Sequence, residues 1–296
     1  MKIAGVFAPV PTPFDGSDNV DLPKLRMAFE RFVASPLAGF VVLGSNGEAV
    51  LLDEDESDRV VGTARALVPR DRPFFVGVGR ESTRATMSAA KRAASLGADG
   101  VLVRTPGFFK SQMTADAFIG HYRAVADASP VPVLLYNFTA LTGVELPVAA
   151  VAALADHPNI VGMKESGGDV SRIERLVAAA PAPFRLLAGS AGTFHAAVCA
   201  GAVGGILALA CVVPEACVRL YELTMARRLE DARSLQARVT PLAQLIGSVH
   251  GVAGLKAALH VVGCDVGGPR LPLLPLSEAG VAAIREAIAS LHEVPA

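Results

Sequence analysis

Short, nearly continuous apolar runs recur along the chain, and a segment with helical periodicity follows each of them. The runs are IAGVFA (3–8), GFVVLG (39–44), FFVGVG (74–79), GVLVRT (100–105), VPVLLYN (131–137), NIVGMKE (159–165), RLLAG (185–189) and GGILAL (204–209). Their starts lie roughly 20–35 residues apart, room for one helix and two short loops. The intervening segments read as helices over 21–34, 54–68, 82–96, 114–128, 147–156, 170–180, 192–200 and 214–229. Strands without polar alternation are covered on both faces, which implies a parallel sheet. Eight such units predict a closed (β/α)8 TIM barrel of the α/β class. An open doubly wound sheet is the alternative, but no G-x-G-x-x-G follows the first run.

Local signals phase the helices. Asp53, with Glu56 three residues on, reads as a capping box. Thr114 and Asp169 stand at similar starts, and Leu96-Gly97 reads as a C-terminal stop. Beyond residue 225 the strand signal ends. Segments 226–247, 252–262 and 277–293 read as helices, with GGPRLPLLP before the last. The expected division is a catalytic barrel over 1–225 and a helical extension over 226–296 packed on it.

Composition narrows the function. A 296-residue chain that is 52% hydrophobic can fill one large core. Formal net charge is −1, with 27 Lys+Arg against 28 Asp+Glu and no basic block, so nucleic acid is not an expected partner. Cys199, Cys211, Cys217 and Cys264 make no C-x-x-C pair, which suggests a reduced, cytoplasmic protein. The opening MKIAGVFAPVPTPF has one lysine and an apolar run broken by Pro9, Pro11 and Pro13, too interrupted for a signal peptide. No residue between His195 and Glu215 is charged, yet Gly201, Gly204, Gly205 and Pro214 predict a turn, a helix and a buried strand rather than a membrane span. The histidines form no H-x-H or H-x-x-x-H, so no metal is expected.

In a barrel of this kind the reacting groups lie at the C-terminal ends of strands. Lys164 ends the sixth apolar run, where the pattern expects Val or Leu. By alternation Ile160, Gly162 and Lys164 share a face, with Gly162 leaving room for something to approach. A free lysine is almost wholly protonated at neutral pH, burial disfavours the charged form, and a buried amine can attack a carbonyl to form a Schiff base. The other reading is a lysine that caps the strand and reaches water. Only six lysines occur, and Lys164 alone ends an apolar strand. Strand two ends in Gly44-Ser45-Asn46-Gly47-Glu48, either a cradle of N–H groups for a carboxylate or an ordinary turn. Tyr136, at the end of strand five, is a candidate proton shuttle or simply a satisfied buried phenol. Gly189-Ser190 and Gly204-Gly205-Ile206 offer close backbone approach to a ligand or tight packing.

Together these residues resemble the dihydrodipicolinate synthase and N-acetylneuraminate lyase superfamily of lysine Schiff-base aldolases, over essentially the whole chain. The matching pieces are GSNGE (44–48), Tyr136-Asn137, the lysine in GMKES, and PTPF near the start. The run HPNIVGMK-SGGDV (157–170), AGSAG (188–192) and GGP (267–269) resemble most the 4-hydroxy-2-oxoglutarate aldolase branch. The resemblance implies Lys164 as the imine-forming nucleophile and Tyr136 as the acid/base group. It implies Ser45, Asn46 and Gly47, with backbone N–H groups, as holders of a pyruvate-like 2-oxo acid's carboxylate. Ser166, Gly189 and Ile206 would line the pocket. It further implies no cofactor and a homotetramer built as a dimer of dimers. Two positions depart from the pattern. Leu141 stands where the synthases carry an arginine for the second substrate, which argues against 4-hydroxy-tetrahydrodipicolinate synthase as the activity. Phe108 stands where the family has a tyrosine of the proton relay, which raises a catalytically weak 2-oxo-acid-binding protein as the alternative of another class. Thr139 likewise replaces the family's proline.

Overall fold

The computed structural model describes residues 1–180 and 182–292. Strands and helices alternate as the pattern predicts. β1 (Gly5–Pro9) leads to α1 (Leu22–Ala34), β2 (Gly39–Val42) to α2 (Glu54–Leu67), and β3 (Phe74–Gly77) to α3 (Thr83–Ser95). β4 (Gly100–Arg104) leads to α4 (Ala115–Ala128), and β5 (Val133–Asn137) to the short α5 (Thr139–Thr142) and then α6 (Val148–Ala155). β6 (Ile160–Glu165), α7 (Val170–Ala179), β7 (Arg185–Ala188), α8 (Phe194–Cys199) and β8 (Gly204–Ile206) complete the sheet. All neighbours are parallel, and β8 pairs with β1 to close the barrel.

The helix starts form as their sequences dictate. The Asp53 carboxylate accepts from the Glu56 N–H at 2.8 Å, and the Glu56 carboxylate accepts from the Asp53 N–H at 3.1 Å. Two N–H groups that the helix cannot satisfy are thereby paired, worth about 1 kcal/mol per cap. Thr114 and Asp169 cap α4 and α7 through the side-chain acceptor alone, taking the Ala117 and Ser171 N–H groups, and Gly97 at φ +91° turns the chain out of α3.

Phe7, Val41, Phe75, Leu102, Leu134, Leu187 and Ile206 fill the barrel, with Tyr136 in the same cluster. Each such fully buried side chain contributes about 1.5–3 kcal/mol. Phe7 and Phe75 meet edge to face with centroids 6.1 Å apart. A second, larger cluster lies between the strands and the helices.

Three runs continue two or more residues past the ends of their strands. The second leaves the ladder at Leu43, which takes a left-handed φ of 55°. Gly77 ends β3 against that turn: a Cβ there would stand 1.9 Å from the Leu43 carbonyl oxygen. In the eighth run, read as a strand over 204–209, β8 ends at Ile206, and the run's last residue, Leu209, opens α9 (Leu209–Val212). Residues past the pairing stay apolar because they still pack in the core, and packing does not distinguish strand from turn. Among the described residues no helix is long and apolar enough to cross a membrane.

Strand six departs from simple alternation. The register shifts between Val133 and Leu134, which face Ile160 and Gly162 respectively. This irregularity places Ile160 in the outer cluster and packs Val161 against the inner one. Ile160 therefore does not share the face of Lys164. Nor does Gly162 leave room for a ligand, because a Cβ there would stand 2.2 Å from the Arg185 carbonyl oxygen on β7.

After α10 (Pro214–Met225) come α11 (Leu229–Gln244), α12 (Gly251–Val261) and α13 (Glu278–His292). The expected break at 248–251 falls at His250, a bend between a π-helical turn, Leu245–Val249, that prolongs α11 and the start of α12. Residue 293, the expected end of the last helix, lies outside the described residues.

Candidate active site

The strand ends at the C-terminal mouth of the barrel carry the candidate chemistry. Tyr136 pairs with Lys164, and Lys164 pairs with Leu187. Tyr136 and Leu187 belong to the inner cluster, so Lys164 at the same level also faces inward. Lys164 is 5% exposed, and its Nζ stands 4.4 Å from the centre of the Tyr136 ring. Among the described residues its Nζ meets no carboxylate and makes no hydrogen bond. The Tyr136 hydroxyl lies 3.1 Å from Ser45 Oγ. The fold thus gathers Lys164, Tyr136 and Ser45 from β6, β5 and the loop after β2.

That loop is bracketed by two non-glycine residues in left-handed conformations, Leu43 (φ 55°) and Glu48 (φ 54°). Each costs about 1 kcal/mol or more and persists only where the surroundings hold it. The N–H of Gly47 donates to Gly44 and that of Glu48 to Ser45. The Thr12 hydroxyl donates to the Gly47 carbonyl at 2.7 Å. Among the described residues the N–H groups of Ser45 and Asn46 remain without a protein acceptor. The cradle is therefore narrower than the sequence suggests, since the Gly47 N–H is already committed.

The Glu48 side chain fastens the loop to the extension. Its Oε1 stands 2.7 Å from Lys256 Nζ, an ion pair in distance without hydrogen-bond alignment. Its Oε2 accepts from the Arg270 N–H at 2.8 Å. Lys256 also donates to the Gly268 carbonyl and lies 4.3 Å from the centre of the Phe14 ring. Burial holds the Lys256 ammonium below the usual lysine range, and Glu48 pulls it back. Arg270 stacks on Phe14 as well and forks onto both carboxylate oxygens of Glu56 at 2.7 Å.

A second buried network shapes the loop after Lys164. Glu165 accepts from Asn137 Nδ2, from Arg172 Nε at 2.8 Å and from the Gly167 N–H at 2.7 Å. Arg172 continues to Glu145 and the Leu146 carbonyl. The Ser166 N–H donates to the Asn137 carbonyl, and its hydroxyl is buried without a partner. A Cβ on Gly189 would fall 1.8 Å from that hydroxyl, so glycine at 189 is what admits Ser166.

These elements enclose a cleft of about 1420 Å³. Ser45, Tyr136, Ser166 and Gly189 line it; Lys164, its Nζ over the Tyr136 ring, is not itself part of the wall. Asn46 and Gly47 are not part of the wall, and Ile206 is fully buried in the barrel-filling cluster. Phe108 and Leu141 do line it, 76% and 62% exposed, and neither offers a polar atom on its side chain. Sequence reasoning missed Arg104, Glu81, Arg172 and His250, which also line the cleft. Arg104 had a signal: a charge closing an apolar strand, as at Lys164. An amine without an acceptor, a phenol bonded to a serine, and two unspent N–H groups can add to a carbonyl, relay a proton and hold an anion.

Compared with known proteins, residues 2–291 match the model of the dihydrodipicolinate synthetase family. A probable mitochondrial 4-hydroxy-2-oxoglutarate aldolase of Emericella nidulans is 36% identical over 297 residues, 99% of this chain and 96% of that protein. A 4-hydroxy-tetrahydrodipicolinate synthase of an Exiguobacterium species is 34% identical, with 98% of each chain covered. The chloride-inhibited dihydrodipicolinate synthase of Acinetobacter baumannii, solved with pyruvate, superposes with a TM-score of 0.94 at 30% identity, covering 99% of this chain and 100% of that one.

Proposed function

The chain belongs to the dihydrodipicolinate synthetase family, and from that premise we propose that it is a Schiff-base aldolase acting on 4-hydroxy-2-oxoglutarate or a related 2-oxo acid. The observation that carries this reading is the buried Lys164 amine, without an acceptor among the described residues and 4.4 Å from the Tyr136 ring. In the cleavage direction the neutral amine adds to the C2 carbonyl and water leaves, giving a protonated imine. The electron pair of the C3–C4 bond flows into that imine while Tyr136 takes the proton of the C4 hydroxyl. An aldehyde departs, glyoxylate from the five-carbon diacid. The enamine is then protonated at C3, and hydrolysis releases pyruvate and restores the amine.

Ser45, through its hydroxyl and its N–H, holds the C1 carboxylate, which fixes C2 beside the amine. The 3.1 Å contact between Ser45 Oγ and the Tyr136 hydroxyl also gives the relay a second oxygen. Phe108 supplies none, so Ser45 extends the relay toward solvent. Ser166 and Gly189 shape the wall. The reaction as written uses no cofactor. The exposed Phe108 and Phe109, packed edge to face at 5.1 Å, fit a covered surface in a homotetramer.

The aldolase reading is supported by the Emericella relative and by Leu141, which gives no cation for aspartate semialdehyde. The synthase reading is supported by the names of other relatives at similar identity. Borohydride reduction in the presence of pyruvate tests the common core. The peptide containing Lys164 should gain a carboxyethyl group; pyruvate binding with an unmodified Lys164 would sink the reading. Cleavage of 4-hydroxy-2-oxoglutarate with little condensation of aspartate semialdehyde then selects the aldolase.

A further inference from the structure

Another cation stands at the same level as the tyrosine and the lysine. Along β4, Val101 and Val103 pack in the outer cluster and Leu102 in the inner one. Alternation therefore turns Arg104 inward at the strand's C-terminal end, and it lines the cleft. It pairs in register with Tyr136, which pairs with Lys164 on the next strand. Strand spacing of about 4.8 Å sets the backbones of Arg104 and Lys164 about 10 Å apart.

The guanidinium is held in place before any ligand arrives. Gly79 gives its stem room: a Cβ there would stand 2.5 Å from Arg104 Cγ. Nη1 donates to Glu81 at 2.8 Å and to the Thr105 carbonyl at 3.0 Å. Glu81 is fixed in turn, accepting the N–H groups of Gly107 and Phe108 at 3.0 and 2.9 Å. Nε and Nη2 of Arg104 donate to no protein group among the described residues. Arg172, the other guanidinium lining the cleft, is spent on Glu165, Glu145 and Leu146. Lys110 is exposed at the rim.

We propose that Arg104 is a specificity-determining residue that receives the distal carboxylate of a dicarboxylic 2-oxo acid, its free Nε and Nη2 edge forking onto the two carboxylate oxygens. The inference rests on the Schiff-base reading and names the substrate class of that site. In a five-carbon 2-oxo diacid, three C–C bonds of about 1.5 Å separate the imine carbon from the distal carboxylate carbon. The diacid thus fits between a lysine and an arginine two strands apart. Glu81 repels that carboxylate, but three donors already occupy it. A cation on a rigid strand would serve where the loop position, Leu141, has none.

The test measures kcat/KM for cleavage of 4-hydroxy-2-oxoglutarate and of 4-hydroxy-2-oxopentanoate, which carries a methyl group in place of the distal carboxylate. Wild type should prefer the diacid. Arg104→Met should lower that preference about 10- to 100-fold, chiefly through KM, as expected for loss of hydrogen bonds to a charged group. Arg104→Lys, which keeps the charge without the fork, should recover part of it. If Arg104→Met lowers both rates by one factor and leaves the preference unchanged, the inference is wrong. Pyruvate trapping on Lys164 separates the two failures. Trapping with an unchanged preference overturns only the role of Arg104; absence of trapping in wild type overturns the Schiff-base reading and this inference with it.

Discussion

Two buried lysines, Lys164 at the barrel mouth and Lys256 in the extension, meet the same problem with opposite results. Both are nearly inaccessible, 5% and 2% exposed. Both stand over an aromatic ring, Tyr136 at 4.4 Å and Phe14 at 4.3 Å. Lys256 has a carboxylate at 2.7 Å and a carbonyl at 2.8 Å, whereas Lys164 has neither among the described residues. Burying an amine is expensive unless a partner compensates. The fold supplies that partner where the lysine ties the extension to the Ser45 loop, and withholds it where we propose that an amine reacts. On the Schiff-base reading, the missing acceptor, rather than burial or a nearby ring, is what separates the proposed nucleophile from the structural lysine.

The comparison breaks most directly at Lys164. Lys164→Ala should lower kcat for aldol cleavage by about 10⁴-fold or more, the scale of losing a covalent nucleophile. It should leave stability unchanged or raised, because no partner is stranded. Urea denaturation beside the kinetics decides: if the variant loses several kcal/mol, Lys164 is a structural lysine too and the contrast is void.

At Lys256 the expectation inverts. Lys256→Met leaves the Glu48 carboxylate buried with only the Arg270 N–H, and removing one partner of a buried pair costs about 3–5 kcal/mol. Adding Glu48→Gln should return a part of that loss. A double mutant no more stable than Lys256→Met would mean that the charge pair is not what holds the seam. Because Glu48 and Ser45 share a loop, cleavage by Lys256→Met should also weaken while Lys164 stays intact.

The difference between the lysines also marks what could be read in the sequence. The barrel was legible because parallel strands covered on both faces leave an unbroken apolar signature, repeated here with each helix. Lys164 and Tyr136 were legible because polar groups close those runs. The role of Lys256 was not, since its carboxylate lies 208 positions away and a lysine on a helix such as α12 usually faces water. The irregularity in β6 was equally hidden, because Ile160 and Val161 are both apolar and suit either face. Arg104 could have been noticed by the rule that found Lys164, but it is the last residue but one of GVLVRT and of a type common on surfaces.

A third buried base sharpens the rule, with a smaller expected effect. His121 on α4 is 6% exposed; its Nδ1 lies 2.9 Å from Thr83 Oγ1, and its Nε2 is buried without a partner. It meets the cost of burial by staying neutral. Desolvation, with the Arg104 charge adding to it, pushes its pKa down to about 4 from an ordinary 6.5. Between those values the unfolded chain binds more protons than the folded one, so stability falls as pH drops from about 6.5 toward 4. The loss should reach about 2–3 kcal/mol by pH 4.5, at 1.36 kcal/mol for each pH unit. Carboxylates titrate in the same interval, so the readout is the difference between wild type and His121→Gln. The variant should lose less stability than wild type between pH 7 and 4.5 in urea titrations. Parallel losses would mean that the imidazole takes up its proton without unfolding, and that a buried base here need be neither paired nor neutral.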